Sequence, residues 1–426
     1  MLDIKIIRET PDIVRAAIKA KRTDDVVDEV LELDGDRRAI IGRVEVLKNK
    51  RNTVSEEVAR LKRAKENADD VIAEMKIVSD EITALDIKLR EIEEKLNYLL
   101  DTIPNIAHEA VPHGTDAKDN VEVKRWSPNG DTKWFEKKEG LDHLAVAEKY
   151  GLFDFKRGAK ITAGGFPIYT GRGAALERAL INFMLDIHTR DHGYGEVMPP
   201  LFVNAESLRG TGNLPKFRDQ VYYMNEDDLF AIPTAEVPIT NMHRDETLKL
   251  EELPIMYTGF SACFRREAGS YGKDTRGFLR VHEFNKVELV KFTTPETSYE
   301  EHEKLTVNAE RILELLNIPY RRLLLCDGDT SFASAKTYDL EVWAPIENAW
   351  LEASSCSNFE SFQARRASIR FKRDPKAKPE FVHTLNGSGL ATSRLMVALL
   401  EVHQQPDGSI HLPEVLHPYL PFTTIS

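Results

Sequence analysis

The chain has 426 residues, of which 42% are hydrophobic, 30% charged and 8% aromatic; that is more than one ordinary core and far too aromatic for a disordered chain. Its net charge of −12 argues against a surface that coats nucleic acid uniformly, while leaving room for a local basic patch. The three cysteines, Cys263, Cys326 and Cys356, have no C-x-x-C spacing, which argues against a disulfide framework and a cysteine-based zinc site and for small buried residues in a reducing cytoplasm.

Met1 to Asp12 is charged throughout and carries no apolar h-region, so no secretory signal is expected. No apolar stretch approaches the roughly 18 residues that a membrane span needs. Two long helices come next. Leu33, Arg37, Ile40, Val44, Leu47, Arg51, Val54, Val58 and Leu61 step by four and three, with two arginines in apolar slots. Val71, Met75, Val78, Ile82, Leu85, Leu89, Ile92, Leu96 and Leu99 form an uninterrupted heptad seam. Lys65 to Asp69 breaks the rhythm and supplies turn and N-cap residues. Joined by so short a turn, the helices must run antiparallel, each about 45–50 Å long. The pair is expected to project as an arm.

The two helices differ in charge. Asp36 to Glu66 carries ten lysines and arginines against five acids, and Asp69 to Asp101 four against ten. This fits a solvated coiled coil in which each helix complements the other. It also fits a basic rail for a phosphate backbone, densest at Arg60, Lys62, Arg63 and Lys65. The expected organisation is an N-terminal domain over 1–104, a linker over 105–120 rich in His, Pro, Gly and Asp, and a body over 121–426.

In the body, Arg172 to His192 and Gly389 to Glu401 read as helices, and Phe278 to Phe292 and Leu340 to Leu351 as strands. Strands separated by turns favour an antiparallel or mixed α+β sheet over a doubly wound one. Neither G-x-x-x-x-G-K-[ST] nor G-x-G-x-x-G after a strand occurs, so any nucleotide site is neither a P-loop nor a dinucleotide fold.

Three blocks nevertheless point to a triphosphate: Phe264-Arg265-Arg266-Glu267, Leu351-Glu352-Ala353-Ser354-Ser355 and Gly387 to Arg394. An arginine fork matches phosphate oxygens two at a time. Magnesium prefers a carboxylate and a hydroxyl beside the phosphates, which Glu352 and Ser355 could supply. Arg265 and Glu267 share one face of an extended chain. Gly269 to Thr275 reads as a flexible polar turn, after which Arg280, His282, Phe284, Lys286 and Glu288 alternate on one face. A Phe among charged groups is a good shelf for adenine, and an arginine could cover the ring's other side. Asn386-Gly387-Ser388-Gly389 reads as a tight turn opening a helix, whose N-terminus attracts anions, with Arg394 in its second turn. Thr234-Ala235-Glu236, between Pro233 and Pro238, reads as a rigidly held loop. The histidines lack metal-ligand spacing and read as structural or surface groups.

These residues resemble those of the seryl-tRNA synthetases, class II aminoacyl-tRNA synthetases, over essentially the whole chain. The most specific matches are Thr234 to Pro238, Phe264 to Val290 and Asn386 to Arg394. The resemblance implies an antiparallel sheet flanked by helices, and an arm that grips the long variable arm of tRNA(Ser). It implies catalytic roles for Arg265, Glu267 and Arg394. Arg265 would bind the α-phosphate and Glu267 the adenine end of ATP, with Arg266 and Arg280 near the nucleotide. Val281 and Phe284 would border the adenine, Arg394 would stack on its far face and reach the γ-phosphate, and Glu352 to Ser355 would flank the nucleotide, with Glu352 and Ser355 holding Mg2+. Thr234, Ala235, Glu236 and Glu288 would receive L-serine, with Asn386 and Ser388 lining the hydroxyl pocket. Pro199-Pro200 would build a homodimer interface. Glu283, Arg266, Ser393 and His417 depart from the residues frequent in the family, without removing a ligand.

The implied reaction is ATP-dependent formation of seryl-adenylate, followed by transfer to tRNA(Ser), and to tRNA(Sec), in the cytoplasm. A serine-adenylating ligase acting on a carrier protein is the alternative; short relatives of that type lack the arm. A coiled-coil interaction protein on a decayed synthetase body is a further one, against which the intact charged set argues.

Overall fold

Helix-forming periodicity dominates the first hundred residues and strand alternation the rest, and the chain separates accordingly. The computed structural model describes residues 1–267 and 277–426. It holds two compact units, residues 2–104 and residues 105–426 together with Met1. The expected turn over Gly269 to Thr275 lies outside the described residues. Among the described residues, no helix is long and apolar enough to cross a membrane.

In the first unit, short helices α1 (Ile4–Glu9) and α2 (Pro11–Ala20) precede α3 (Val27–Ala64) and α4 (Asp69–Thr102). Lys65 ends α3 in the left-handed region at φ 58°, and in the turn before α4 the Asn67 side chain accepts from Asp69 N at 2.8 Å. The helices pack along the expected seam, Ile40 and Val44 against Ile92, and Leu47 against Val78 and Ile82. Arg37, which breaks the apolar rhythm, donates to Glu93 at 2.9 Å instead of packing. Arg43–Glu81 at 2.8 Å and Lys50–Glu74 at 2.6 Å repeat this pairing of basic α3 with acidic α4. Nearer the tip it stops: Arg60 pairs with Glu57 of its own helix, and Lys62, Arg63 and Lys65 make no ion pair among the described residues.

The second unit is built on an eight-stranded sheet. In chain order its strands are β1 (Val121–Trp126), β2 (Gly195–Glu196), β3 (Ile255–Phe264), β4 (Glu283–Thr293), β5 (Tyr320–Leu324), β6 (Lys336–Ala344), β7 (Ala349–Asn358) and β8 (His383–Ala391). Their spatial order is β1-β5-β6-β7-β8-β4-β3-β2. Every ladder is antiparallel except β2 on β3. Helices α5 (His143–Tyr150), α6 (Gly171–Asp186), α7 (Glu236–Asn241), α8 (Ser298–Leu315) and α9 (Thr392–Val402) accompany the sheet. The main core is the apolar side of β4, β6 and β8 closed by α6, α8 and α9, with Leu176, Leu289, Leu305, Leu340 and Leu399 fully buried.

Several boundaries differ from the sequence reading. The helix expected to run to His192 ends at Asp186 and continues as a π-turn over Ile187–Asp191. The strand expected from Phe278 begins at Glu283, because Gly277–Leu279 is a 3-10 turn that buries Phe278 between Phe153 and Phe155. Leu340 to Leu351 is two strands of a hairpin, turning at Asn348, where φ is 54°. The largest difference concerns Asn386 to Gly389, which is not a turn. It lies inside β8, with Asn386 and Gly387 paired on both sides, and the helix starts only at Thr392. Gly387 is there because a Cβ would run into Leu305 and into Cys356 Sγ at 2.8 Å. Arg394 therefore lies in the first turn of α9.

Candidate active site

The polar sides of β4, β7 and β8 and the segments crossing them enclose a cleft of about 520 Å3. Arg265, Glu267, Arg280, Val281, Phe284, Glu352, Ala353, Ser354, Ser355 and Arg394 all line it. So do Thr234, Glu236, Glu288, Asn386 and Ser388. Two predicted residues stay out. Arg266 follows the end of β3 at Phe264, does not line the cleft, and lies over the Tyr222 ring at 5.7 Å. Ala235 is fully buried in a separate apolar cluster with Ile239 and Val290.

One end of the cleft is a buried charge cluster. Glu288 sits on β4 opposite Gly259 of β3 and Ser388 of β8, and is fully buried. Thr234 donates its hydroxyl to Glu288 Oε2, and Lys286 pairs with the same carboxylate while donating to Thr234 Oγ1 at 2.9 Å. Glu288 Oε1 is buried with no hydrogen-bond partner, an acceptor that the protein alone leaves unmet. Glu236 opens α7, and its Oε1 accepts from Gln363 Nε2 at 2.6 Å. Burial, and next the charge of Glu288, push the Glu236 carboxyl up to about 7, against the opposing pull of Gln363, Lys286 and Arg265. Two carboxylates and one ammonium at one spot leave a site short of one positive charge.

The other end is built for anions. Arg265 donates Nε to Pro233 O at 3.3 Å, and its guanidinium lies over the Phe284 ring at 5.1 Å. Arg394 is anchored by Leu279 O at 3.3 Å and by the backbone and side chain of Glu352 at 2.8 and 3.2 Å. Arg280 pairs with Glu267 at 3.1 Å. Both predicted arginine forks thus face one cavity, held from behind while part of each guanidinium remains open.

The register of β6 on β7 places Asp339 directly opposite Ser355. A bulge between Leu340 and Glu341 pairs Glu352 with Glu341, two positions further along the same hairpin. Burial, then the nearby Glu352 charge, hold the Asp339 carboxyl well above the usual carboxylate range, and its Oδ1 is buried without a partner. This orphaned oxygen beside Glu352 and Ser355 makes a donor set of hard oxygens, which suits Mg2+. Ser354 Oγ donates to Ser388 O at 2.7 Å, tying this hairpin to β8.

Three contributors carried no role in the sequence reading. Lys286 sits on the predicted face but reads as a solvent-facing cation until the fold buries it to 5% exposure. Asp339 becomes visible only through strand register, and Gln363 only through the helix that brings it to Glu236.

Comparisons with known proteins place the chain in a family. Residues 1–107 match the family model "Seryl-tRNA synthetase N-terminal domain", and residues 220–403 match "tRNA synthetase class II core domain (G, H, P, S and T)". The serine--tRNA ligase of Chloroherpeton thalassium is 60% identical over 424 residues, 99% of each chain. That of Carboxydothermus hydrogenoformans is 56% identical over 420 residues, covering 99% of this chain and 98% of its own. Among solved structures, the seryl-tRNA synthetase of Pyrococcus horikoshii complexed with ATP superposes with a TM-score of 0.92 at 37% identity, covering 100% of this chain and 99% of its own. The cytoplasmic serine-tRNA ligase of Naegleria fowleri in complex with AMP gives 0.86 at 29%, with the same coverage. The chain belongs to the serine--tRNA ligase family of class II aminoacyl-tRNA synthetases.

Proposed function

We propose that this cleft activates L-serine with ATP and that the chain then charges tRNA(Ser). One observation carries the reading: an ammonium-seeking carboxylate cluster and two anchored arginines share one cavity, so a zwitterionic amino acid and a triphosphate can meet in it. The serine ammonium completes the charge of Glu236 and Glu288 and meets the unbonded Glu288 Oε1. Asn386 and Ser388, on β8, line the wall that the hydroxyl would reach. The serine carboxylate oxygen attacks the α-phosphorus, the bond from that phosphorus to the bridging oxygen breaks, and pyrophosphate leaves. The nucleophile arrives ionised, so no side chain has to take its proton; alignment and neutralisation of phosphate charge supply the rate. Arg265 serves the α-phosphate, Arg394 the γ-phosphate and the adenine face, and Val281 and Phe284 the adenine border. Glu352 and Ser355, with Asp339 behind, would hold Mg2+, which when bound draws charge off the phosphate oxygens. The terminal adenosine hydroxyl of the tRNA then attacks the seryl carbonyl carbon, and AMP leaves.

Purified chain with ATP, Mg2+ and labelled serine should make tRNA(Ser) acid-precipitable label; the tRNA(Sec) transcript, a second acceptor in this reading, is tested in parallel. Serine-dependent exchange without label on any tRNA would favour the carrier-protein alternative, against which the N-terminal domain stands. Catalysis should also depend on pH through Glu236. Its carboxyl is raised to about 7, so below that pH it is protonated and offers the ammonium no charge. The kcat/KM for serine should fall as pH drops below about 7, and Glu236→Gln should sit low with that limb flattened. Identical profiles would remove Glu236 from serine binding.

In this reading the enzyme is a cytoplasmic homodimer. The segment around Pro199-Pro200 leaves Met198 at 88% and Phe202 at 50% exposure, an apolar face that a second copy would cover.

A further inference from the structure

Away from the cleft, three distant residues bring ligand atoms together. His143 begins α5 and is fully buried, Glu401 lies near the C-terminal end of α9 and is fully buried, and Glu347 sits in the β6–β7 turn with its side chain 21% exposed. One donor atom from each lies within 4.8 Å of the others, and His143 Nδ1 is 3.3 Å from Glu347 Oε1. Ligands bound at about 2.0–2.1 Å to a tetrahedral ion stand about 3.4 Å apart, so that pair already has the spacing of a shared metal.

The arrangement is otherwise hard to account for. Glu401 Oε2 accepts the backbone N–H groups of Ile346 at 2.8 Å and Glu347 at 3.0 Å, which fixes the carboxylate. Its Oε1 is buried with no hydrogen-bond partner, and Glu347 Oε1 faces the His143 imidazole at 3.3 Å without a hydrogen bond to it. Among the described residues neither glutamate pairs with a lysine or arginine. Lys138, which reaches the same end of α9, donates instead to Val402 O at 3.0 Å. Asp142 adds further negative charge, and burial pushes the Glu401 carboxyl up to about 7. Buried carboxylates of this kind ordinarily carry a partner or coordinate a metal.

We propose that His143, Glu347 and Glu401 form a site for one divalent transition-metal ion, zinc by its ligand set, separate from the nucleotide's Mg2+. One imidazole and two carboxylates suit zinc and its neighbours better than magnesium or calcium, and the two backbone N–H groups on Glu401 supply the outer-shell support such sites use. The ion would tie α5, the hairpin turn and α9 together. Gly277, at φ 61°, packs against the His143 imidazole where a Cβ would clash with Nε2, and two residues on, Leu279 O anchors Arg394. The site therefore braces the back of the wall that carries Arg394.

The test uses the full chain stripped of metal, without ATP. Zinc titrated against a chromophoric chelator should bind at one equivalent per chain and raise Tm. X-ray absorption of the zinc-loaded protein should show nitrogen and oxygen at about 2.0 Å, with imidazole scattering and no sulfur. His143→Gln and Glu401→Gln should bind at least about tenfold more weakly, while Glu352→Gln binds as wild type. No stoichiometric binding, a sulfur shell, unchanged affinity in His143→Gln, or loss in Glu352→Gln would each overturn the proposal. Should Glu401→Gln fail to fold, the absorption spectrum and His143→Gln decide alone.

Discussion

Arg265→Ala should lower serine-dependent ATP–pyrophosphate exchange by at least about 10^3-fold, the cost of removing a preorganised charged donor from a developing anion. The residue faces the cleft beside Phe284, and its Nε is held by Pro233 O at 3.3 Å, so the remaining guanidinium nitrogens stay free to bind in pairs. Arg265→Lys should recover little, since a single ammonium cannot reproduce the fork. Tm should hardly change, because the residue is exposed and makes no ion pair among the described residues. Exchange near the wild-type rate in Arg265→Ala would take this residue out of the mechanism.

Deleting Asp36 to Leu99, with a short linker in its place, should spare exchange to within about twofold and cut tRNA charging by at least about 10^2-fold, as expected when a phosphate-contacting element is removed from an intact catalytic site. Lys62, Arg63 and Lys65 near the hairpin tip, without an ion pair among the described residues, support this split, because their charge is not consumed by α4 as that of Arg37, Arg43 and Lys50 is. Comparable loss of both steps would make the hairpin a support for the catalytic unit.

What the sequence revealed followed from local repetition. The hairpin was legible because its packing partner has the same three-four period, so apolar positions alone specify which faces meet. The alternation of Phe284, Lys286 and Glu288 gave one face of β4 for the same reason. Asn386 to Gly389 misled because glycine and asparagine next to serine usually mark a turn, whereas Gly387 answers a tertiary demand from Leu305 and Cys356. Ser355 could be read from its motif, but its neighbour Asp339 depends on a strand register set partly by a bulge. His143, Glu347 and Glu401 come from a helix start, a hairpin turn and a helix end, and no spacing rule joins them.

Lys286 has a consequence for which amino acids can enter. In the proposed serine site it answers one of the two buried acids in advance, which leaves that end of the cleft room for a single further positive charge. Aspartate would bring an anion against Glu288, and lysine a second cation with no counterpart. On the proposed reading both would be turned away by electrostatics, so shape would have to separate serine only from neutral neighbours such as alanine and threonine.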